Sequence, residues 1–269
     1  MMAGPARLPM VAVAAMLALT GHPAFADLDE PVRTLADGGP AVVTEIVDGD
    51  TVLLADGREV RLVGIQAPKL PLGRKNFRSW PLADRAKSAL ESLTRGRTVR
   101  LSYGGRRVDR HGRQLAHLTL EDGSWVQRIL LSQGLARVYS FPDNRALVAE
   151  MLAAERAARA ARAGIWDSAF YVIRSPFELT PDIGTFQLVE GRVRAVARVR
   201  GTTYLNFGAD WRTDFTISVG REYHAAFADA GVDLMALEGR MVRARGWLDN
   251  RNGPMIAATH PEQIEVLED

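Results

Sequence analysis

The 269-residue chain contains no cysteine, which excludes disulfide stapling, thiolate nucleophiles and Cys-ligated zinc or iron–sulfur centres. Stability must come from packed cores. Lysine is scarce: Lys69, Lys75 and Lys87 are the whole set, so nearly all positive charge is arginine. Aromatics are few, at 7%. No apolar run after residue 26 approaches the roughly 20 residues that span a bilayer, and neither an internal repeat nor a low-complexity tract is present. What remains is globular composition, 47% hydrophobic and 25% charged, enough for one or two domains of about 100–200 residues and incompatible with disorder throughout.

The N-terminal end has a separate logic. Arg7 precedes an unbroken apolar run over 10–19, and Ala24-Phe25-Ala26 is an A-x-A cleavage site before acidic Asp27-Leu28-Asp29-Glu30. This order predicts a secretory signal peptide over 1–26, because a membrane anchor would need a run about twice as long. The mature protein is expected to be exported, to a periplasm or the medium, with no membrane span after cleavage. Its net charge of +2 hides an asymmetry: 39–175 carries 22 Lys/Arg against 14 Asp/Glu, and 176–269 carries 10 against 14. The basic part is the candidate for polyanions.

Turn dipeptides divide the chain into elements. Aliphatic runs over 41–65, separated by Asp48-Gly49-Asp50 and Asp56-Gly57, predict a three-stranded meander. A helix is expected over 82–93, strands over 98–103 and 114–120, a helix over 125–133, a short strand through Val138, and an Ala/Arg-rich helix over 145–163 capped by Gly164. Five strands with helices suit a small barrel. A break near Ser175-Pro176 and Thr180-Pro181-Asp182 coincides with the change of charge sign. Beyond it, strict alternation over 191–201 predicts one half-buried strand with Val193, Ala195, Ala197 and Val199 inward and Arg192, Arg194, Arg198 and Arg200 outward. Further strands over 203–207, 214–219, 240–248, 255–259 and 263–267 make a second β-rich unit. The expected organisation is a signal peptide over 1–26, a linker over 27–38, a first domain over 39–175 and a second, OB-like β domain over 176–269.

The informative constellation is Asp48-Gly49-Asp50-Thr51, then Arg61-Leu62-Val63-Gly64-Ile65, then Asp109-Arg110-His111-Gly112-Arg113. Two carboxylates in a turn can hold a hard divalent cation, and two arginines from separate segments can clamp a phosphate as charge develops on it. Taken singly, a DG turn is an ordinary hairpin and a strand arginine is commonplace. The ordered combination is much less common, and it belongs to phosphodiester chemistry.

Over 41–167 these residues, with Gln133-Gly134-Leu135-Ala136-Arg137-Val138 and Gly164-Ile165-Trp166, resemble the staphylococcal nuclease (thermonuclease) family. The resemblance implies a β-rich α+β fold: a five-stranded OB-fold barrel with three helices, here followed by the second small β domain. It also implies calcium-dependent hydrolysis of DNA and RNA by two metal-binding Asp residues, a Glu general base and two phosphate-binding Arg residues. Asp50 matches the first metal ligand, and Arg61 and Arg113 match the arginines. Where the family reads Asp-Thr-Pro-Glu, this chain reads Gln66-Ala67-Pro68-Lys69. The second ligand becomes the amide Gln66, so a Ca2+ site is weakened. The base becomes the cation Lys69, and losing general-base assistance costs about 10²- to 10⁴-fold.

Two readings follow from Lys69. Its ammonium takes the place of the metal's charge and the pocket works slowly without calcium, or the site is a phosphate-binding relic. The expected function is therefore an exported protein that binds nucleic acid, DNA or RNA, with compromised endonuclease activity; the alternative is a non-catalytic envelope or protein-interaction module. Further substrate contacts are expected from Arg110, from Arg74 and Lys75 in a loop that also carries Phe77 and Trp80, and from Tyr139 and Phe141, where the family stacks aromatic rings near the base. Core packing is the competing account of these four aromatics. His111 is either an acid or phosphate contact or simply an exposed turn residue. The arginines of 192–200 form a second polyanion contact or a solvated, acid-paired face, and Trp211 and Trp247 are core or interface anchors.

Overall fold

The computed structural model describes Met1 and residues 30–267; apart from Met1, the expected signal peptide lies outside the described residues. The N-terminal half contains β1 (Ala36–Asp48), β2 (Thr51–Leu54), β3 (Glu59–Leu62), β4 (Ile65–Gln66), α1 (Ala83–Thr94), β5 (Thr98–Tyr103), β6 (Gln114–Thr119), α2 (Val126–Ser132), β7 (Arg137–Val138) and α3 (Val148–Ala160). Five strands close into a barrel in the order β1-β2-β3-β6-β5. Closure depends on β1, whose first half pairs with β5 and whose second half pairs with β2. A register slip between Asp37 and Gly39 bends it, with Gly39 at φ 76° supplying the left-handed residue.

Two pairings position the site. Parallel pairing of β3 with β6 sets Arg61 opposite Leu115, close to the 109–113 turn. The β4–β7 ribbon sets Gln66 opposite Arg137. Between β3 and β4 the chain turns at Gly64, which has φ 81° and where a Cβ would lie 2.3 Å from the Met151 methyl of α3. A larger residue there would have to push the end of the Met151 side chain aside and hold a left-handed backbone conformation.

The expected linker over 27–38 is partly structure. Among the described residues, Glu30–Thr34 is a 3₁₀ turn, Val32 is buried in the barrel core, and Ala36 and Asp37 already pair with β5. The third helix starts later than expected, at Val148, because Leu147 adopts a left-handed conformation at φ 60°; before it, the Arg145 side chain reaches to Glu262 at 2.9 Å.

The C-terminal half forms a second β domain: β8 (Phe186–Arg192), β9 (Ala195–Val199), β10 (Thr202–Asn206), β11 (Thr216–Val219), α4 (His224–Asp229), β12 (Met241–Trp247), β13 (Asp249–Asn250), β14 (Pro254–Ala258) and β15 (Ile264–Val266). Sheets of order β13-β14-β11-β10-β9 and β15-β12-β8 share one core, with Leu205, Ile217 and Ile256 from the first meeting Val189, Val242 and Ile264 from the second. The single strand expected over 191–201 is two. At Val193 and Arg194 the chain leaves one sheet for the other, their N–H groups donating to Arg240 and Asn206 carbonyls respectively. The alternation fails with it: Val193 is buried, but Ala195 and Val199 are exposed, because β9 is an edge strand. The four arginines are exposed, and Arg200 lies in the following turn rather than on the strand.

The domains meet through buried charge. Arg245 of β12, 1% exposed, lies 2.9 Å from Glu155 of α3 and 2.6 Å from Glu265 of β15. Glu155 also accepts the Val138 N–H at 2.6 Å. Ser140 hydrogen-bonds the His260 ring at 2.7 Å. These contacts lock the second domain onto α3 and onto the segment leading out of β7.

Candidate nucleic-acid site

Asp48 ends β1 and accepts the Asp50 N–H at 3.1 Å, which shapes the turn into β2. Asp50 is fully buried. One of its oxygens accepts the Ala67 N–H at 2.7 Å and the other the Thr51 hydroxyl at 3.2 Å. Arg61 arrives from β3, where it pairs with Thr51, and its Nη1 stands 3.1 Å from Asp50 Oδ1. The same guanidinium donates to the carbonyls of Leu62 at 3.0 Å and Ile65 at 2.6 Å. Lys69 completes the group: its Nζ donates to both Asp50 oxygens at 2.9 and 2.8 Å and to Asp48 Oδ2 at 3.3 Å.

The electrostatics follow from this crowding. Burial raises the Asp50 carboxyl pKa, but the Arg61 guanidinium and Lys69 ammonium overcome it and hold the group far below the usual carboxylate range. For Asp48 the balance is reversed: burial and the neighbouring Asp50 charge raise it, and Lys69 only partly compensates. Two anions and two cations thus form a closed, neutral cluster.

A calcium ion does not fit this donor set. It wants about six to eight oxygens, whereas the Asp50 oxygens already receive Lys69, Arg61, Ala67 and Thr51. Gln66, expected as the second ligand, is directed elsewhere: its Oε1 accepts Arg137 Nε at 3.0 Å and Nη2 at 2.7 Å. An arginine fork seeks an acceptor, and the amide oxygen is the one that β4–β7 pairing brings to it. Burial pushes the Arg137 pKa down to about 10, and the Phe186 ring lies 4.7 Å from its guanidinium. Among the described residues, no group of three or more His, Asp or Glu side chains is arranged to hold a metal.

Arg113 stands at the end of the 109–112 turn, and its Nε and Nη2 lie 2.8 and 2.6 Å from Asp109 Oδ2. Burial raises the Asp109 carboxyl, but hydrogen bonds from Arg113 and the turn amides win and lower it. Arg61 and Arg113 nevertheless line one cleft of about 490 Å³. Arg110, His111, Tyr139 and Phe141 also border it, as do Arg106 and Trp247. Arg110 Nε is 3.1 Å from His111 Nε2.

Arg74 and Lys75, expected as substrate contacts, do not border this cleft. Arg74 is spent on its own loop, donating to Leu70 and Pro71 carbonyls at 2.5 and 3.0 Å and lying 3.7 Å over the Phe77 ring. Trp80 packs against Phe170 at 5.6 Å and Tyr171 at 6.5 Å, so the loop's aromatics anchor it to the barrel domain. Sequence reasoning passed over Asp48 as a Lys69 partner, although the DGD turn contained the signal. It also missed Arg137 as the group that claims Gln66, and Trp247 at the cleft, for which no local pattern exists.

A closed five-stranded barrel with an arginine-lined cleft beside an acidic turn defines a nuclease-like chain. Residues 59–168 match the family described as staphylococcal nuclease homologue. The chain is 32% identical over 130 residues to an uncharacterized endonuclease of Escherichia coli O157:H7, covering 47% of this chain and 76% of that protein. It is 29% identical over 133 residues to the thermonuclease of Staphylococcus intermedius, covering 48% and 77% respectively. A longer match, 27% identical over 195 residues, covers 68% of this chain and 16% of endonuclease YhcR of Bacillus subtilis. The chain belongs to the staphylococcal nuclease homologue family.

Proposed function

We propose that this exported protein binds nucleic-acid phosphodiesters in the Arg61–Arg113 cleft without calcium, and that its endonuclease activity is compromised. The observation that carries the reading is the Lys69 ammonium seated 2.8–3.3 Å from Asp48 and Asp50, where a cation would otherwise be needed to offset two carboxylates. With those acids neutralised, the cleft can accept a phosphate. Arg61 and Arg113 would hold the phosphate oxygens, Arg110 would contact the neighbouring backbone, and Tyr139 and Phe141 would face the nucleoside. Neither Gln66 nor Lys69 supplies a general base, which predicts a rate deficit of about 10²- to 10⁴-fold against a chain with a carboxylate there. The signal-peptide pattern over 1–26 supports export, to a periplasm or the medium.

The test incubates the mature protein with single- and double-stranded DNA and RNA in calcium, magnesium or chelator. The reading expects salt-sensitive retention that Arg113→Ala weakens in every condition, with any cleavage slow and indifferent to calcium. Calcium-stimulated cleavage would overturn it, and an absence of binding would favour the protein-interaction module.

A further inference from the structure

The second domain reaches into the cleft through one side chain. Trp247 ends β12 and borders the same cavity as Arg61 and Arg113. Half of it, 50%, is exposed, yet it is not loose, because its indole N–H donates to the Tyr139 hydroxyl at 2.8 Å. Backbone pairing sets Trp247 opposite Phe186, whose ring meets Tyr139 edge-on at 4.9 Å. Tyr139 in turn meets Phe141 edge-on at 4.9 Å, and Phe141 is 46% exposed. A fixed tryptophan thus stands beside an arginine-lined cavity with part of its surface free.

We infer that Trp247 is a stacking platform for an unpaired nucleobase whose backbone phosphate lies on Arg61 and Arg113, so that the appended domain confers a preference for single strands. The inference rests on the proposed phosphodiester cleft. Every base has a π-face, so stacking on tryptophan is tolerant of sequence. In a duplex those faces are covered by neighbouring base pairs and are not offered to a side chain at a cleft rim. Arginines supply the charge-driven part of binding for both forms; Trp247 supplies a part that only a splayed single strand can use. The Arg245–Glu155 pair, two residues away on β12, holds the tryptophan in register with the barrel.

The experiment measures fluorescence anisotropy of a labelled thymidine oligonucleotide and of a duplex of equal length, at one salt concentration in chelator. The parent is expected to bind the single strand more tightly. Trp247→Ala and Trp247→Leu should weaken single-strand binding about 5- to 150-fold and leave duplex binding within about twofold. Trp247→Phe, which keeps a ring, should recover much of the loss. Leucine retains apolar bulk against β8, and matching melting curves for that variant separate loss of stacking from loss of fold. Equal losses for single strand and duplex, or none, would overturn this inference alone, provided Arg61→Ala still weakens both. A parent that binds neither oligonucleotide would overturn the cleft reading and this inference together.

Discussion

Replacing Lys69 with methionine removes the ammonium while keeping a side chain of similar length. Its Nζ stands 2.8 Å from Asp50 Oδ2, and its side chain is 20% exposed. At an effective dielectric of about 20, that attraction is about 6 kcal/mol. Desolvation of a mostly buried ammonium offsets several kcal/mol of it. The remaining loss, about 2–4 kcal/mol, is the cost of leaving Asp48 and Asp50 together with Arg61 as their remaining close cation. Urea unfolding of parent and variant measures it. The same change opens the cradle, so millimolar calcium should restore part of the lost stability, by RT ln(1 + [Ca2+]/Kd), and should leave the parent unchanged. A Lys69→Met variant as stable as the parent, or a parent whose melting temperature rises with calcium, would refute the reasoning.

Other perturbations probe separate parts of the account. Asp109→Asn keeps the Oδ1 acceptor that the His111 and Arg113 amides use but removes the charge that occupies Arg113; single-strand affinity should rise about two- to fivefold, read by anisotropy. Arg245→Met leaves the buried carboxylate of Glu155 with Arg159, at 3.3 Å, as its remaining ion-pair partner, so it should cost less than the roughly 3–5 kcal/mol of a wholly unpaired buried charge, whereas the parent should unfold in a single urea transition spanning both domains. Burial pushes His117 down to about 3 and His260 down to about 4. Both are neutral in the fold while the unfolded chain protonates near 6.5, so stability is full above that pH. It falls as pH drops toward 3–4, by up to ~1.4 kcal/mol per unit for each histidine. His117→Phe, packed against Trp125, should flatten the urea-midpoint profile between pH 6.5 and 4.

Much of the barrel is legible because its strands are short aliphatic runs bounded by DG turns, and one of those turns carries Asp48 and Asp50. The resemblance to the staphylococcal nuclease family also exposed the exchange at Gln66 and Lys69. It could not reveal that Gln66 turns to Arg137, since that contact spans 71 residues and depends on β4–β7 register. The 191–201 segment misled for a related reason: alternation describes a strand with one sheet beneath it, and here the chain changes sheets at Val193. Asp109 looked like part of a turn, yet its carboxylate also holds Arg113. Trp247 reaches the cleft only through the docking of two domains, so no window of sequence around it contains the information.

The most direct measurement of the central claim is the affinity of the parent protein for a single-stranded oligonucleotide in chelator and in millimolar calcium at equal ionic strength. If the Lys69 ammonium already occupies the acidic cradle, the two dissociation constants agree within about twofold, after allowance for ordinary charge screening. An affinity that appears only with calcium, or rises tenfold with it, would contradict the account.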